Sequence, residues 1–134
     1  MAGYNKGQTF LDKKATNLDG TKGKYFIALS DADFDDDDII CFVMNTERRM
    51  DLHNPFCNRE KGKFIIKPNT FSFIKDFTSI MLKTEVYYKF SEMYDDNIIL
   101  YDKAEELLLR QIKNCIDFNY ILDKGIQLIK NSFK

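Results

Sequence analysis

Two apolar runs stand out in the first third of the chain. Residues 25–29 and 39–44 are rich in β-branched and aromatic side chains, and a polar stretch of about eight residues separates them. Each run is too short and too sharply bounded for a helix, so the pattern predicts two strands. Hydrophobicity within them is nearly continuous instead of alternating. That predicts cover on both faces, as in the middle of a small barrel or under a helix. Ser30 closes the first run and Thr46 the second, with Arg48 and Arg49 just beyond.

The rest of the pattern is arranged around this pair. Thr9, Phe10 and Leu11 predict a short strand, and residues 17–23 a loop by their Asn, Asp and Gly content. Residues 47–62 form a long polar excursion containing Pro55 and Gly62, and residues 63–67 a third strand closed by Pro68 and Asn69. Residues 70–78 fit a helical turn or a tight bend. Residues 79–90 read as the longest strand, with Ile80, Leu82 and Val86 on one face, and residues 98–100 as a short one. The period then changes. Asp102 and Glu105 form a capping-box-like start, followed by Ala104, Leu108, Ile112, Cys115 and Ile116 at helical spacing. A second helix from about residue 118 places Ile121, Leu122, Ile126 and Ile129 on one stripe. Gly125 inside it costs about 1 kcal/mol relative to Ala and marks close backbone packing. Strands first and helices last predict an α+β domain. Its sheet of five or six largely antiparallel strands would curl into a small barrel over residues 1–100, closed by a helical hairpin over 101–134.

Composition sets the bounds. With 134 residues, 44% hydrophobic and 31% charged, the chain has the makings of one domain with a real core. No apolar run approaches the roughly 18 residues needed to span a bilayer. The amino terminus lacks a signal-peptide core, which predicts a cytoplasmic protein. Three cysteines, Cys41, Cys57 and Cys115, are widely spaced with no Cys-x-x-Cys pair. Neither a disulfide framework nor a zinc site is expected, and Cys41 and Cys115 read as buried apolar positions.

The net charge of −1 hides a segregation. Residues 31–47 hold seven acidic side chains and no basic one, whereas residues 48–75 hold seven Lys or Arg against Asp51 and Glu60. Asp31, Asp33 and Asp35 have the spacing of the first three ligands of a calcium loop. However, Asp36 stands where Gly is required and Phe42 where the bidentate Glu belongs, so a solvated loop is the plainer reading. His53 is the single histidine and the natural acid–base group. No Ser or Cys pattern pairs with it, and a surface loop position accounts for it. The twelve Phe and seven Tyr offer base-stacking surface, but most occupy strand positions that suit a core.

The segment Lys24-Tyr-Phe-Ile-Ala-Leu-Ser30, a polar loop, and Ile39-Ile-Cys-Phe-Val-Met-Asn-Thr46 resemble the central strand pair of the PemK/MazF-like toxins, which are small SH3-like barrels. Gly7-Gln-Thr-Phe10 sits where that family begins with a Gly-x-hydrophobic strand. The resemblance implies cleavage of single-stranded RNA, with no metal or other cofactor, by a homodimer restrained by a cognate antitoxin. Thr46 matches the strand-end threonine that bonds the scissile phosphate. Lys24 stands where the family usually has arginine, commonly followed by proline; here Tyr25 follows. Lysine offers a point charge where arginine offers a fork, which Arg48 or Arg49 would have to supply. Attack of the ribose 2′-hydroxyl on the adjacent phosphate needs such preorganised donors. His53 would then serve proton transfer, and Lys61, Lys63 and Lys67 would guide the RNA. An aromatic run at Phe71, Phe73 and Phe77 suits a dimer surface. A second class fits the same residues. A non-catalytic interaction module, such as an accessory or phage-defence protein, would dock a nucleic acid or a basic protein partner, and the incomplete motif and segregated charge favour it.

Overall fold

A computed structural model describes residues 5–16 and 20–134. The loop expected at 17–23 and the amino-terminal stretch 1–7 lie partly outside them. Three strands, β1 (Gln8–Thr16), β2 (Lys22–Ala28) and β3 (Asp38–Thr46), form an antiparallel meander. The β2–β3 register runs from Tyr25 opposite Met44 to Ala28 opposite Cys41, so the predicted hairpin forms as expected. Five further strands follow: β4 (Cys57–Asn58), β5 (Lys63–Ile66), β6 (Thr78–Met81), β7 (Val86–Lys89) and β8 (Ile98–Lys103). All join one antiparallel sheet, seven of them in the order β4-β5-β6-β3-β2-β1-β8 and β7 paired with β3 off that path.

The expected closed barrel is not what forms. β4 and β8 end the strand order, so the sheet stays open. Its fork explains why: the first half of the long β3 pairs with β7 and the second half with β6. The single strand expected over 79–90 is therefore two, separated by a turn that begins where the Leu82 N–H extends the β5–β6 pairing to the Gly62 carbonyl at 2.7 Å.

Two helices follow, α1 (Glu106–Cys115) and α2 (Asp123–Ser132). Asp102 caps neither. It lies in β8, and its carboxylate accepts the Ser72 N–H and hydroxyl at 2.9 and 2.6 Å. A single 3-10 turn at Phe118–Tyr120 precedes α2, and Leu122 faces solvent. The buried stripe of α2 is Gly125, Leu128 and Ile129.

Both faces of the central strands are covered. Ile27, Ile40, Phe42 and Ile80 meet Leu109, Ile112, Leu128 and Ile129 on the helix side. Phe10, Phe26, Ile39, Cys41 and Met93 form the other core, with the Tyr88 ring edge-on to Phe10 and Phe26 at 5.1 and 5.4 Å. The aromatic run read as a dimer surface is largely internal: Phe71 is buried and Phe73 stacks on Tyr25 at 4.3 Å. Among the described residues, no helix is long and apolar enough to cross a membrane.

Gly125 is where α2 touches the sheet. A Cβ there would lie 2.5 Å from the Tyr87 hydroxyl and 2.9 Å from Ile40 Cδ1. Alanine gains about 1 kcal/mol of helix propensity, but overpacking of this kind costs about 1–3 kcal/mol. Gly125→Ala should therefore lower the melting temperature; a thermal melt unchanged or raised would show that α2 does not seat on β3 and β7 this closely.

Candidate nucleic-acid interface

β3 leaves the core at its carboxyl end. Met44 pairs with both Tyr25 and Ile80 and faces the helices, so Thr46, two residues on, takes the same face. Asn45 pairs with Ser79 on the opposite face, and Glu47 returns there. The Glu47 N–H continues the pairing to the Phe77 carbonyl at 2.8 Å. One carboxylate oxygen of Glu47 accepts the Ser79 hydroxyl at 2.6 Å and Lys63 Nζ at 2.8 Å. Its side chain is only 8% exposed.

His53 closes over this pair. Its Nε2 lies 3.4 Å from Glu47 Oε1 and 3.4 Å from Lys63 Nζ. Nδ1 sits 2.7 Å from the Arg49 carbonyl, which makes Nδ1 a donor to it. The side chain is 4% exposed, so the histidine expected on a surface loop is enclosed. The excursion folds back because Met50–Leu52 makes a 3-10 turn and Asn58 clasps Asn54 twice, at 2.8 Å each.

Burial alone would raise the Glu47 carboxyl. The bonds from Lys63, Ser79 and the Arg49 N–H outweigh it and hold the group down at about 2.

The other sequence candidates disperse. Thr46 lines a shallow cavity of about 160 Å³ with Tyr25, Phe73 and Asp76. Lys24 precedes Tyr25 in β2 and so projects to the other face of the sheet, away from Thr46. One guanidinium edge of Arg49, Nε and Nη2, is taken by Asp51, at 3.1 and 2.9 Å. Arg48 is exposed and carries no ion pair among the described residues. The structure brings His53 and Lys63 together and adds two residues that sequence reasoning missed, Glu47 and Ser79.

The β4 edge holds a second arrangement. Cys57 and Cys115 are joined in a disulfide across 58 residues, a correction to the expectation of unpaired cysteines. Cys57 pairs with Phe64, which belongs to the helix-side core, and so meets the end of α1. In a chain-entropy account, a loop of this length restricts the unfolded chain by about 4 kcal/mol. Cys115 is buried, as expected, but not free.

Cations crowd this edge. Arg59 donates to the carbonyls of Asn114 and Ile116 at 3.3 and 3.0 Å, and Lys61 to that of Leu52. Lys83 donates to the Glu60 carbonyl at 2.8 Å and lies 4.4 Å from the centre of the Tyr120 ring. Lys67 lies 5.4 Å from the Phe56 ring. Carbonyls and rings orient these groups without neutralising them. Phe56 and Tyr120 are both exposed. A cavity of about 330 Å³ on this edge is lined by Leu52, Asn54, Cys57, Arg59 and Lys61 among others.

The sign of the Glu47 shift sets a pH test. A carboxyl depressed in the folded state stabilises above its unfolded value of 4.5, and that contribution is lost as the pH falls from there toward about 2. Glu47→Gln should be less stable than the parent at neutral pH, and the gap should narrow across this window. Thermal unfolding followed by circular dichroism measures it; parallel curves for the two proteins would contradict the Glu47–Lys63 account.

The chain matches no protein-family model, no curated protein and no solved structure.

Proposed function

We propose that the protein is a non-catalytic interaction module that docks single-stranded RNA along the β4 edge. One observation carries this: two exposed rings, Phe56 and Tyr120, each with a lysine ammonium over the face, on a surface whose cations are bonded to carbonyls and not to carboxylates. Rings of this kind stack unpaired bases of any sequence, and the surrounding Lys and Arg hold phosphates. Arg48, Arg59, Lys61, Lys67 and Lys83 supply that charge, with Asp51 beside Arg49 and Lys61, Glu60 in the same turn as Arg59 and Lys61, and Glu85 bonded to Tyr87 and to the Leu122 N–H.

Binding without cutting is favoured by what the catalytic candidates do. Transesterification needs donors converging on one phosphate. Thr46 and Lys24 occupy opposite faces, the Nε–Nη2 edge of Arg49 is paired with Asp51, and His53 is enclosed. The toxin-like endoribonuclease, with its homodimer and cognate antitoxin, is the rival. The contact of His53 with Lys63 is the feature that favours it, and it would require the excursion to lift off Glu47.

Fluorescence anisotropy with a labelled unstructured RNA, paired with a denaturing gel of the same RNA, separates the two. Binding should weaken with salt at a log–log slope of about −0.7 per phosphate held. Phe56→Ala and Tyr120→Ala should each weaken it by about 5- to 150-fold, the equivalent of about 1–3 kcal/mol per stacked base. The RNA should stay intact, and Phe34→Ala, on the remote acidic loop, should change nothing. No binding at low salt, or indifference to both ring substitutions, overturns the docking surface. Shortened RNA restores the endoribonuclease, in which case Thr46→Ala should slow the cutting by about 10²-fold.

A further inference from the structure

We propose that the Cys57–Cys115 bond is a latch on this RNA face, opened by exchange with a small-molecule or protein thiol; the inference rests on the RNA-docking function above. The two halves of the face belong to different elements. Phe56, Arg59 and Lys61 ride on the excursion and β4, whereas Tyr120 follows α1. β4 is two residues long and hydrogen-bonds only to β5. The excursion is rooted at one end by Glu47, Lys63 and His53. At the other end the one covalent tie to the helices is the disulfide. Further ties are the exposed Arg59 bond to Asn114, its part-buried bond to Ile116, the exposed Lys83 bond to the Glu60 carbonyl, and the Ile65 N–H bond to the Phe56 carbonyl.

The bond is built asymmetrically. Cys57 is exposed and lines the 330 Å³ cavity, whereas Cys115 is 1% exposed. An incoming thiolate therefore attacks Cys57 Sγ. The Sγ–Sγ bond breaks, a mixed disulfide forms on Cys57, and Cys115 leaves as a thiolate. The leaving group is provided for. Arg59 donates to the carbonyls of Asn114 and Ile116, which flank Cys115 in sequence, and Cys115 Sγ lies 3.7 Å from the Lys63 carbonyl, which accepts its S–H once it is protonated. A second thiol resolves the mixed disulfide and releases Cys57. In total two electrons and two protons pass to the cysteines, and two reductant thiols become one disulfide. The third cysteine does not interfere: Cys41 is fully buried in the opposite core, where burial pushes its thiol up and keeps it unreactive.

Opening the latch lets Phe56 and Arg59 part from Tyr120 and Lys83. The rings and cations then have to be brought together at the moment of binding, which costs affinity. The test uses the full chain, oxidised and after dithiothreitol, with thiol content followed by alkylation and mass spectrometry and RNA affinity by anisotropy. Reduction without denaturant should weaken binding by about tenfold or more, in keeping with the loss of preorganisation. Cys57→Ser and Cys115→Ser should bind like the reduced protein and ignore the reductant, while Cys41→Ala should respond like the parent. If a serine variant fails to fold, the parent with and without reductant still decides. Equal affinity in the two redox states, or a bond reducible only in denaturant, overturns the latch. If neither form binds RNA, the docking function fails, and amide hydrogen exchange over residues 50–66 decides the latch: faster exchange on reduction upholds it, and unchanged exchange overturns it.

Discussion

Burial of β3 on both faces is the constraint on which the structure depends. Ile39, Ile40, Cys41 and Phe42 are all fully buried, although consecutive strand residues point to opposite sides. Two separate cores are therefore required, one under the helices and one under Phe90, Met93 and Tyr88. Removing a buried isoleucine from such a site costs about 2–5 kcal/mol, a large part of a small domain's stability. Because β3 is long and serves β6 and β7 in series, the sheet forks beneath it instead of curling shut.

The same strand explains where the proposed binding surface lies. At Thr46 the chain passes from two-sided burial to solvent within a residue or two, and Glu47 manages the passage. A buried carboxylate with three donors is held down by the set, and removing Lys63 strands its charge. The set roots the excursion, and Cys57 ties its far end to α1. A segment that its polar sequence alone would leave loose is thereby held as a platform. Arg59, Lys61, Lys67 and Lys83 bond carbonyls or lie over ring faces, so they are positioned without a carboxylate partner.

Much of this arrangement was legible in the sequence, and the failures have physical causes. The hairpin, the antiparallel habit and the terminal helices followed from periodicity, which long apolar segments report well. The break inside residues 79–90 was not visible, because Leu82, Lys83, Thr84 and Glu85 carry no Gly, Pro or Asn to signal a turn. Asp102 looked like a cap because three-residue spacing to Glu105 is local, whereas its real partner, Ser72, is thirty residues away. The disulfide shows the same limit: Cys57 and Cys115 meet only because β4 docks on the end of α1. His53 and Lys63 were legible as candidates by residue type. Glu47 read as the end of an acidic run and Ser79 as an ordinary strand residue, and nothing short of strand register places them together. The basic stretch at 48–75 was visible as charge. Its pairing with rings was not, since Tyr120 comes from a distant turn.

The central claim is that unpaired RNA lies on the β4 edge. Amide chemical shifts recorded while an unstructured oligoribonucleotide is titrated into the isotope-labelled, oxidised protein test it most directly. The account predicts perturbations clustered at residues 52–67, at Lys83 and around Tyr120, with the acidic loop at 31–38 silent. Perturbations centred on Lys24, on Thr46 or on the acidic loop, or none at low salt, would contradict it.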